Sequence, residues 1–385
     1  MVVKQIATLM NTVTGEILGK SDIVAEDLSN VVDVGTEIFN ASSVDNYVKT
    51  LVNHIGKVIF VNRPYSGGAP SVIMDGWEYG SVLEKIQADI PEAEENPSWA
   101  LEDGTTYNQD IFKKPSVSVK FFNSKTTFEI PYSFTERQVK ESFSNAEQLN
   151  AFLSMLYAAV DKSLTVKMDA LIMRTINNAT ATTLHDAFPA GTYSENSTVR
   201  AVNLLHLYKV VHPNATTTAE NFLYDLDFLK FASRQISLVK SRMTKISSLY
   251  NIGKKERFTP DDMAHLILLS DFAKSTETYL QSSTFHDELV KLPSYEEVPY
   301  WQASGDDYDF GVVSKVNVTT AAGDKVEASG IIGVLFDRDA LGVTNMDRRV
   351  TTHYNAKGEF FNNWYKFDAG YFNDFNENFV VFFVA

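Results

Sequence analysis

The stretch GIIGVLFDRDALGV, Gly330 to Val343, runs apolar for seven residues and then sets Asp337, Arg338 and Asp339 side by side. Alternate residues of a strand share a face, so the two carboxylates meet the first geometric demand of acid–base chemistry, a carboxyl pair on one side of a cleft. The same three residues also make a strand end whose arginine pairs with both aspartates, and DALG starts a new turn. Nothing else in the chain supplies the second half of a catalytic site. An ion-paired structural turn is therefore expected, with no catalytic residue.

Other chemistry is weaker still. GDDYDFG places Asp306, Asp307 and Asp309 together, a possible grip on a hard cation. It lacks the spacing and terminal glutamate of a calcium loop, and a solvated acidic loop is expected instead. The seven histidines, among them His206 beside helical leucines, are scattered singly, with no H-x-x-x-H or H-E-x-x-H pair to hold zinc. Gly67-Gly68 and Gly330/Gly333 match no phosphate-binding loop, and no G-x-S-x-G nucleophile elbow occurs. No metal and no cofactor is expected.

The bulk composition narrows the classes further. A chain of 385 residues, 44% hydrophobic, can bury a large core or two. The absence of cysteine removes disulfides, thiolate metal sites and thiol catalysis. A formal net charge of −15 is the opposite of a nucleic-acid binder's electrostatic footprint. The N-terminus has no signal-peptide core, no run of eighteen apolar residues occurs, and a soluble cytoplasmic chain with no membrane contact is expected. The sequon Asn196-Ser197-Thr198 then carries no weight.

Several elements must hold whatever this chain presents. In SSVDNYVKTLVNHIGKVIFVN, Ser43 or Asp45 caps a helix with Tyr47, Val48, Leu51, Val52 and Ile55 on one side, Gly56 ends it, and KVIFV reads as a strand. Residues 63–122 are rich in Gly, Pro and acids with no continuous periodicity, and a compact domain seldom carries so long a loop idly. SVSVKFFNSKTTFEIPYSF alternates as two strands around Asn123-Ser124, so the segment reads as a loop running out and back. A capping box, Ser144 to Glu147, then opens a helix that keeps its apolar spacing from Leu149 to about Asn177. The Thr/Asn/Ala-rich NNATATTLHDAFPAGTYSENST reads as a connection. Helices are expected in TVRAVNLLHLYKVV, in the segment from Thr218 to Lys245, and in FAKSTETYLQSSTFHDELVKL. Strands are expected in AHLILLS, FGVVSKVNVTT and GIIGVLFD, and in an aromatic C-terminal set turning at Ala356-Lys357-Gly358. Strands and helices mix without regular alternation, which gives an α+β fold.

Taken in order, DNYVKTLVNHIGKVIF, the long loop, FFNSKTTFEIPYSFTERQVKESFSNAEQLNAFLSMLYAAVDKSLTVKMDALIM and the C-terminal EFFNNWYKFDAGYFNDFNENFVVFF resemble the major capsid proteins of tailed bacteriophages with the Hong Kong 97 fold, most of all the phi 29 podovirus type. The resemblance covers nearly the whole chain and rests on element order rather than on one motif. It implies an N-terminal arm (1–42), a peripheral or P domain (43–63 and 120–200) with a spine helix at 145–177, an extended E-loop (64–119), an axial or A domain (201–345), and C-terminal strands (346–385) returning to the P domain. The phi 29 type adds an immunoglobulin-like domain after these strands, which this sequence does not show, so surface adhesion is not implied.

The implied function is an icosahedral head shell enclosing packaged double-stranded DNA, with pentamers and hexamers of this chain as partners. A portal and a scaffolding protein are further implied partners, DNA is enclosed without specific binding, and the location is the virion. An out-and-back loop cannot bury itself alone, so Trp77, Tyr79, Trp99 and Phe112 are the expected subunit contacts. Cross-linking through Lys113 or Lys114, as in the fold's namesake, is not expected. Two rivals remain: an encapsulin-like compartment shell, and a carbohydrate-active protein using Asp337, Asp339 and the aromatic C-terminus.

Overall fold

The computed structural model describes residues 11, 24–25, 69–74, 83–91, 93–107, 110, 112–135, 146–189, 191, 193, 196–283, 292–302, 310–320 and 323–385. The helix and strand expected at 43–61, nearly all of the arm, and Ser144 of the capping box lie outside them. In chain order, β1 (Ile73–Met74) and β2 (Leu83–Ala88) precede β3 (Val117–Phe122) and β4 (Lys125–Thr135). Helix α1 (Ala146–Ala187) is followed by β5 (Ala201–Asn203), α2 (Leu204–Val211) and α3 (Leu226–Met243). Then come β6 (Ala264–Leu269), α4 (Ser270–Ser283), β7 (Glu296–Val298), β8 (Val316–Thr319) and β9 (Lys325–Ala328). Strands β10 (Ile331–Asp337), β11 (Leu341–Asn355), β12 (Phe360–Asn373) and β13 (Phe379–Phe383) complete the chain, an α+β architecture. It divides into two compact units, one of Met1–Gly76, Lys125–Arg174 and Val343–Gly370, the other of Trp77–Ser124, Thr175–Gly342 and Tyr371–Ala385.

The first unit holds a four-stranded sheet in the order β1-β11-β12-β4. Strand β12 alternates strictly, with Phe361, Asn363, Tyr365, Phe367 and Ala369 buried, as the period of two in FFNNWYKFDA requires. Asn363 is tolerated inside because both ends of its amide are used. Its Oδ1 accepts from Thr352 Oγ1 at 3.0 Å and its Nδ2 donates to the Tyr132 carbonyl at 3.4 Å. Asn355 Oδ1 accepts from the Lys357 and Gly358 amides at 3.1 and 3.0 Å, an Asx turn that reverses the chain between β11 and β12.

Helix α1 buries Val160, Leu164, Met168, Ile172 and Ile176, a stripe repeating every fourth residue. It ends at Ala187, ten residues beyond the expected Asn177 (187 − 177). Asn177-Asn178-Ala179-Thr180 has weak intrinsic helix propensity, which makes the sequence look like a connection. Burial overrides it: Thr175, Asn177, Thr180 and Thr183 are all inside, alongside Ala179, Ala181 and Leu184. Thr182 donates its hydroxyl to the Asn178 carbonyl at 2.8 Å, back-bonding along the helix rather than breaking it.

The second unit is built on a five-stranded sheet, β5-β13-β10-β6-β7. Strands β10 and β13 are buried at every residue, and strands covered on both faces read as continuous apolar runs. One face carries Ile332, Leu335, Val380 and Phe382 into a core shared with Phe222, Phe228 and Phe272. Just past the end of α1, Phe188 meets Phe383 edge-on, with ring centroids 6.1 Å apart.

Three local expectations change. Val117–Phe122 and Lys125–Thr135 do not pair with each other across Asn123-Ser124; β3 pairs β2, and β4 pairs β12. Ala201–Asn203 is a strand rather than the start of a helix, because α2 begins only where Asn203 Oδ1 caps the His206 amide at 3.1 Å. Phe310–Val313 is a helical turn ahead of β8, not a strand.

Gly330 enters β10 at φ +78°, where a Cβ would lie 1.9 Å from the Val384 carbonyl oxygen. Gly330→Ala is expected to destabilise the second unit by at least about 2 kcal/mol, strain and clash together. Gly323→Ala, at φ +93° with nothing within 4 Å, should cost only about 1 kcal/mol. Urea unfolding of the two variants should separate them.

Candidate subunit-contact ribbon

Strands β2 and β3 form an antiparallel ribbon with six register pairs, from Leu83↔Phe122 to Ala88↔Val117. In a ribbon lying on a protein body the period of two normally turns apolar residues inward. Here the order is inverted over most of the ribbon, with only the Leu83–Phe122 pair at one end still turning apolar side chains inward. Ile86 (64% exposed), Phe121 (64%), Val117 and Val119 face outward, while Lys85, Gln87 and Lys120 face the second unit.

The inward cations meet a built anion. Lys85 Nζ lies 3.0 Å from Asp374 and 2.9 Å from Glu377, and also donates to the Asp339 carbonyl at 3.2 Å. Lys120 Nζ reaches Asp374 at 2.7 Å, Arg257 Nε is 3.5 Å from Glu377, and Gln87 donates to Glu377. Lys255 pairs with Asp89 at 3.1 Å, and the Phe122 and Phe372 rings meet at a 40° tilt with centroids 5.0 Å apart. The Asp374 side chain has no solvent exposure. Burial alone would raise its carboxyl pKa, but Lys120 and Lys85 outweigh that and hold it below the ordinary 3.8. Burial alone would lower Lys85, but Glu377 and Asp374 lift it above 10.5.

Asp337 belongs to the same neighbourhood but does no chemistry there. It is buried, accepts from Thr259 Oγ1 at 2.7 Å and from the Asp339 amide at 3.0 Å, and shares Thr259 with Asn378. Burial raises its pKa. Arg338 is exposed and forms no ion pair with either aspartate among the described residues, correcting the expected pairing. Thr259 and the turn's own amide do that work, because Arg338 alternates to the other face. Asp337 opens a turn closed by the Ala340 amide and Asp339 sits within it; they are not a carboxylate pair across a cleft.

Beyond Asp89 and Ser116 the ribbon continues into a tip. Asn96 Oδ1 caps the 3-10 turn Pro97–Trp99 through the Ser98 amide at 3.0 Å, projecting Trp99 outward, 98% exposed. Phe112 is 87% exposed and Leu101 is also outward. Glu94 pairs with Lys113. Of the four expected contact residues, Trp99 and Phe112 thus sit on one tip, and Trp77 and Tyr79 lie outside the described residues. Sequence reading missed the outward Ile86, Val117, Val119 and Phe121 and the anchor at Asp374 and Glu377. The alternation in LEKIQA and VSVKFF was visible, but which face turned inward was not.

Asp306, Asp307, Asp309, Gly67 and Gly68 also lie outside the described residues. Among the described residues no group of three His, Asp or Glu could hold a metal ion, and no helix is long and apolar enough to cross a membrane. His206 is half-buried at the start of α2.

A family model described as Phi29-like phage major capsid protein matches residues 6–383. Among solved structures, a chain in the capsid of Staphylococcus phage Andhra is 10% identical, with a TM-score of 0.50 over 84% of this chain and 86% of that one. A chain from a structure of native bacteriophage P68, titled for its head fiber and inner core protein gp22, gives 10% identity and a TM-score of 0.50 over 85% and 86%. At such identity the likeness is one of fold. No curated protein sequence matches.

Proposed function

Since this chain belongs to the Phi29-like phage major capsid proteins, a structural family whose members build the virion head, we propose that the β2–β3 ribbon and its tip are what join one copy to the next. In this reading the ribbon is the E-loop, the first unit is the P domain with the spine helix, and the rest of the second unit is the A domain. Copies close into pentamers and hexamers of a shell that encloses double-stranded DNA, with a portal and a scaffolding protein as partners. The acidic balance, −15 overall, suits a wall that does not adsorb its contents.

The observation that carries it is the ribbon's inverted face. A monomeric protein gains nothing by turning Ile86, Val119 and Phe121 to water while seating Lys85 and Lys120 on buried carboxylates. A subunit that covers that face with a neighbour does. Trp99 and Phe112 each offer about 150–250 Å², so burying both at about 25 cal/mol/Å² is worth about 8–12 kcal/mol before ordering costs.

The test is the double variant Trp99→Ser, Phe112→Ser in the full chain, concentrated and viewed by negative-stain electron microscopy beside the parent. The parent is expected to give closed shells, tubes or hexagonal sheets, and the variant small particles with unchanged circular dichroism. Assembly of the variant at the parent's concentration would sink the proposal.

A further inference from the structure

The chain's charge is unevenly placed. Residues 86–112, the end of β2 and most of the ribbon tip, carry seven acidic residues and no basic one, with Lys113 and Lys114 following directly. Residues 238–258 carry six basic residues against Glu256 alone, a local +5 in a chain of −15. The basic segment is folded back on itself. Ser247 and Arg257 exchange backbone hydrogen bonds at 2.9 and 3.1 Å, and the Thr259 amide donates to the Met243 carbonyl at 2.8 Å. That register sets exposed Ile246 across from exposed Phe258, with exposed Leu249 close by.

Three of its cations are already used: Lys240 pairs with Asp261, Lys255 with Asp89, and Arg257 with Glu377. Arg242, Lys245 and Lys254 are exposed and form no ion pair among the described residues, with Glu256 and Asp262 the nearby acids in sequence. On the tip, Glu94 pairs with Lys113, while Glu95, Glu102 and Asp103 are exposed and form no ion pair among the described residues. Each surface therefore joins a majority of uncommitted charges of one sign, three acids against Lys114 on the tip and three cations against Glu256 on the loop pair, to exposed apolar side chains, and the majority signs are opposite. Neither covers the other within one chain, since Trp99 remains 98% exposed.

We infer that the ribbon tip of one copy docks on the Arg242–Phe258 loop pair of another. Glu95, Glu102 and Asp103 face Arg242, Lys245 and Lys254, and Trp99 and Leu101 pack on Ile246, Leu249 and Phe258. This rests on the ribbon being a subunit contact and adds where it lands. Complementary charges fix the register and reject wrong docking, while the apolar groups supply most of the affinity.

Two measurements on the full chain test it. In the first, Glu95→Lys/Glu102→Lys/Asp103→Lys and Arg242→Glu/Lys245→Glu/Lys254→Glu are made separately and together, and the concentration needed for assembly is read by sedimentation. Each set alone should raise it about tenfold, and the combined chain should return to within about threefold of the parent. A combined chain no better than either set overturns the inference. If Trp99→Ser, Phe112→Ser weakens assembly but the charge swap does not recover, the ribbon reading stands and only this landing site falls. If the basic-side set assembles as the parent does but loses retention of a short DNA duplex, the patch serves a polyanion and the inference is overturned.

The second needs no closed shell. Equal amounts of 14N- and 15N-labelled chain are concentrated and treated with a carbodiimide, which joins carboxylates to lysines in direct contact. Mixed-isotope links from the tip peptide to Lys245 or Lys254 are expected. Their absence, or links within single chains only, overturns the inference.

Discussion

Asp374→Ala is expected to destabilise the second unit by about 3 kcal/mol and to free the ribbon from it. Removing one member of a buried charge cluster leaves the others desolvated and unpaired, at about 3–5 kcal/mol for fully buried partners. Lys85 and Lys120 are only partly buried, 19% and 36% exposed, and can rehydrate, which puts the loss at the lower end. Asp374→Asn keeps the shape and removes the charge. If charge is what anchors the ribbon, it should lose nearly as much as alanine. A loss under about 1 kcal/mol would mean that packing, not charge, seats the ribbon. Limited proteolysis within residues 89–116 gives the second readout, since a detached ribbon should be cut faster.

The anchor also sets a pH window. Asp374 has a folded pKa below its unfolded 3.8, so its contribution is complete above 3.8 and is lost as pH falls through the folded value. Lys85 is raised above 10.5, so its contribution is complete below 10.5 and is lost as pH rises through the folded value. Asp337, raised by burial, runs the other way, and stability gains from it as pH falls from its folded value toward 3.8. Asp374→Ala should therefore flatten the acid limb of the stability–pH curve and leave Asp337's opposing slope exposed.

Trp301→Ala is expected to cost about 3–5 kcal/mol, the range for deleting a large buried aromatic. Trp301 is 2% exposed, and its indole Nε1 donates to the Ile331 carbonyl at 3.0 Å. Its backbone carbonyl accepts from Asn177 Nδ2, also at 3.0 Å. The ring thus ties the first residue of β10 to a neighbourhood shared with the final turns of α1. Trp301→Phe keeps most of the apolar volume but leaves the Ile331 carbonyl unpaired, and should cost about 1–3 kcal/mol. Equilibrium denaturation followed by far-ultraviolet circular dichroism separates the two; alanine costing no more than phenylalanine would show that the cavity collapses and the hydrogen bond dominates.

The α+β class, the long helix, the buried strand at Ile331–Asp337 and the turn at Ala356-Lys357-Gly358 were all legible, because each is written in local periodicity or turn chemistry. The family likeness was legible too, since element order survives where individual residues do not. Three things were decided only by tertiary structure. The last three turns of α1 are helical although Asn177-Asn178-Ala179-Thr180 argues against it, because burial of most of their residues outweighs a propensity difference of under about 1 kcal/mol per residue. Val117–Phe122 and Lys125–Thr135 belong to different sheets, because strand partners lie about thirty residues or more away and pairing over that range leaves no local signature. The ribbon's polar side turns inward because Asp374 and Glu377, some 250 to 290 residues downstream, are buried where Lys85 and Lys120 can reach them. Alternation alone says that two faces differ; which one meets the protein depends on charges that only the fold brings together.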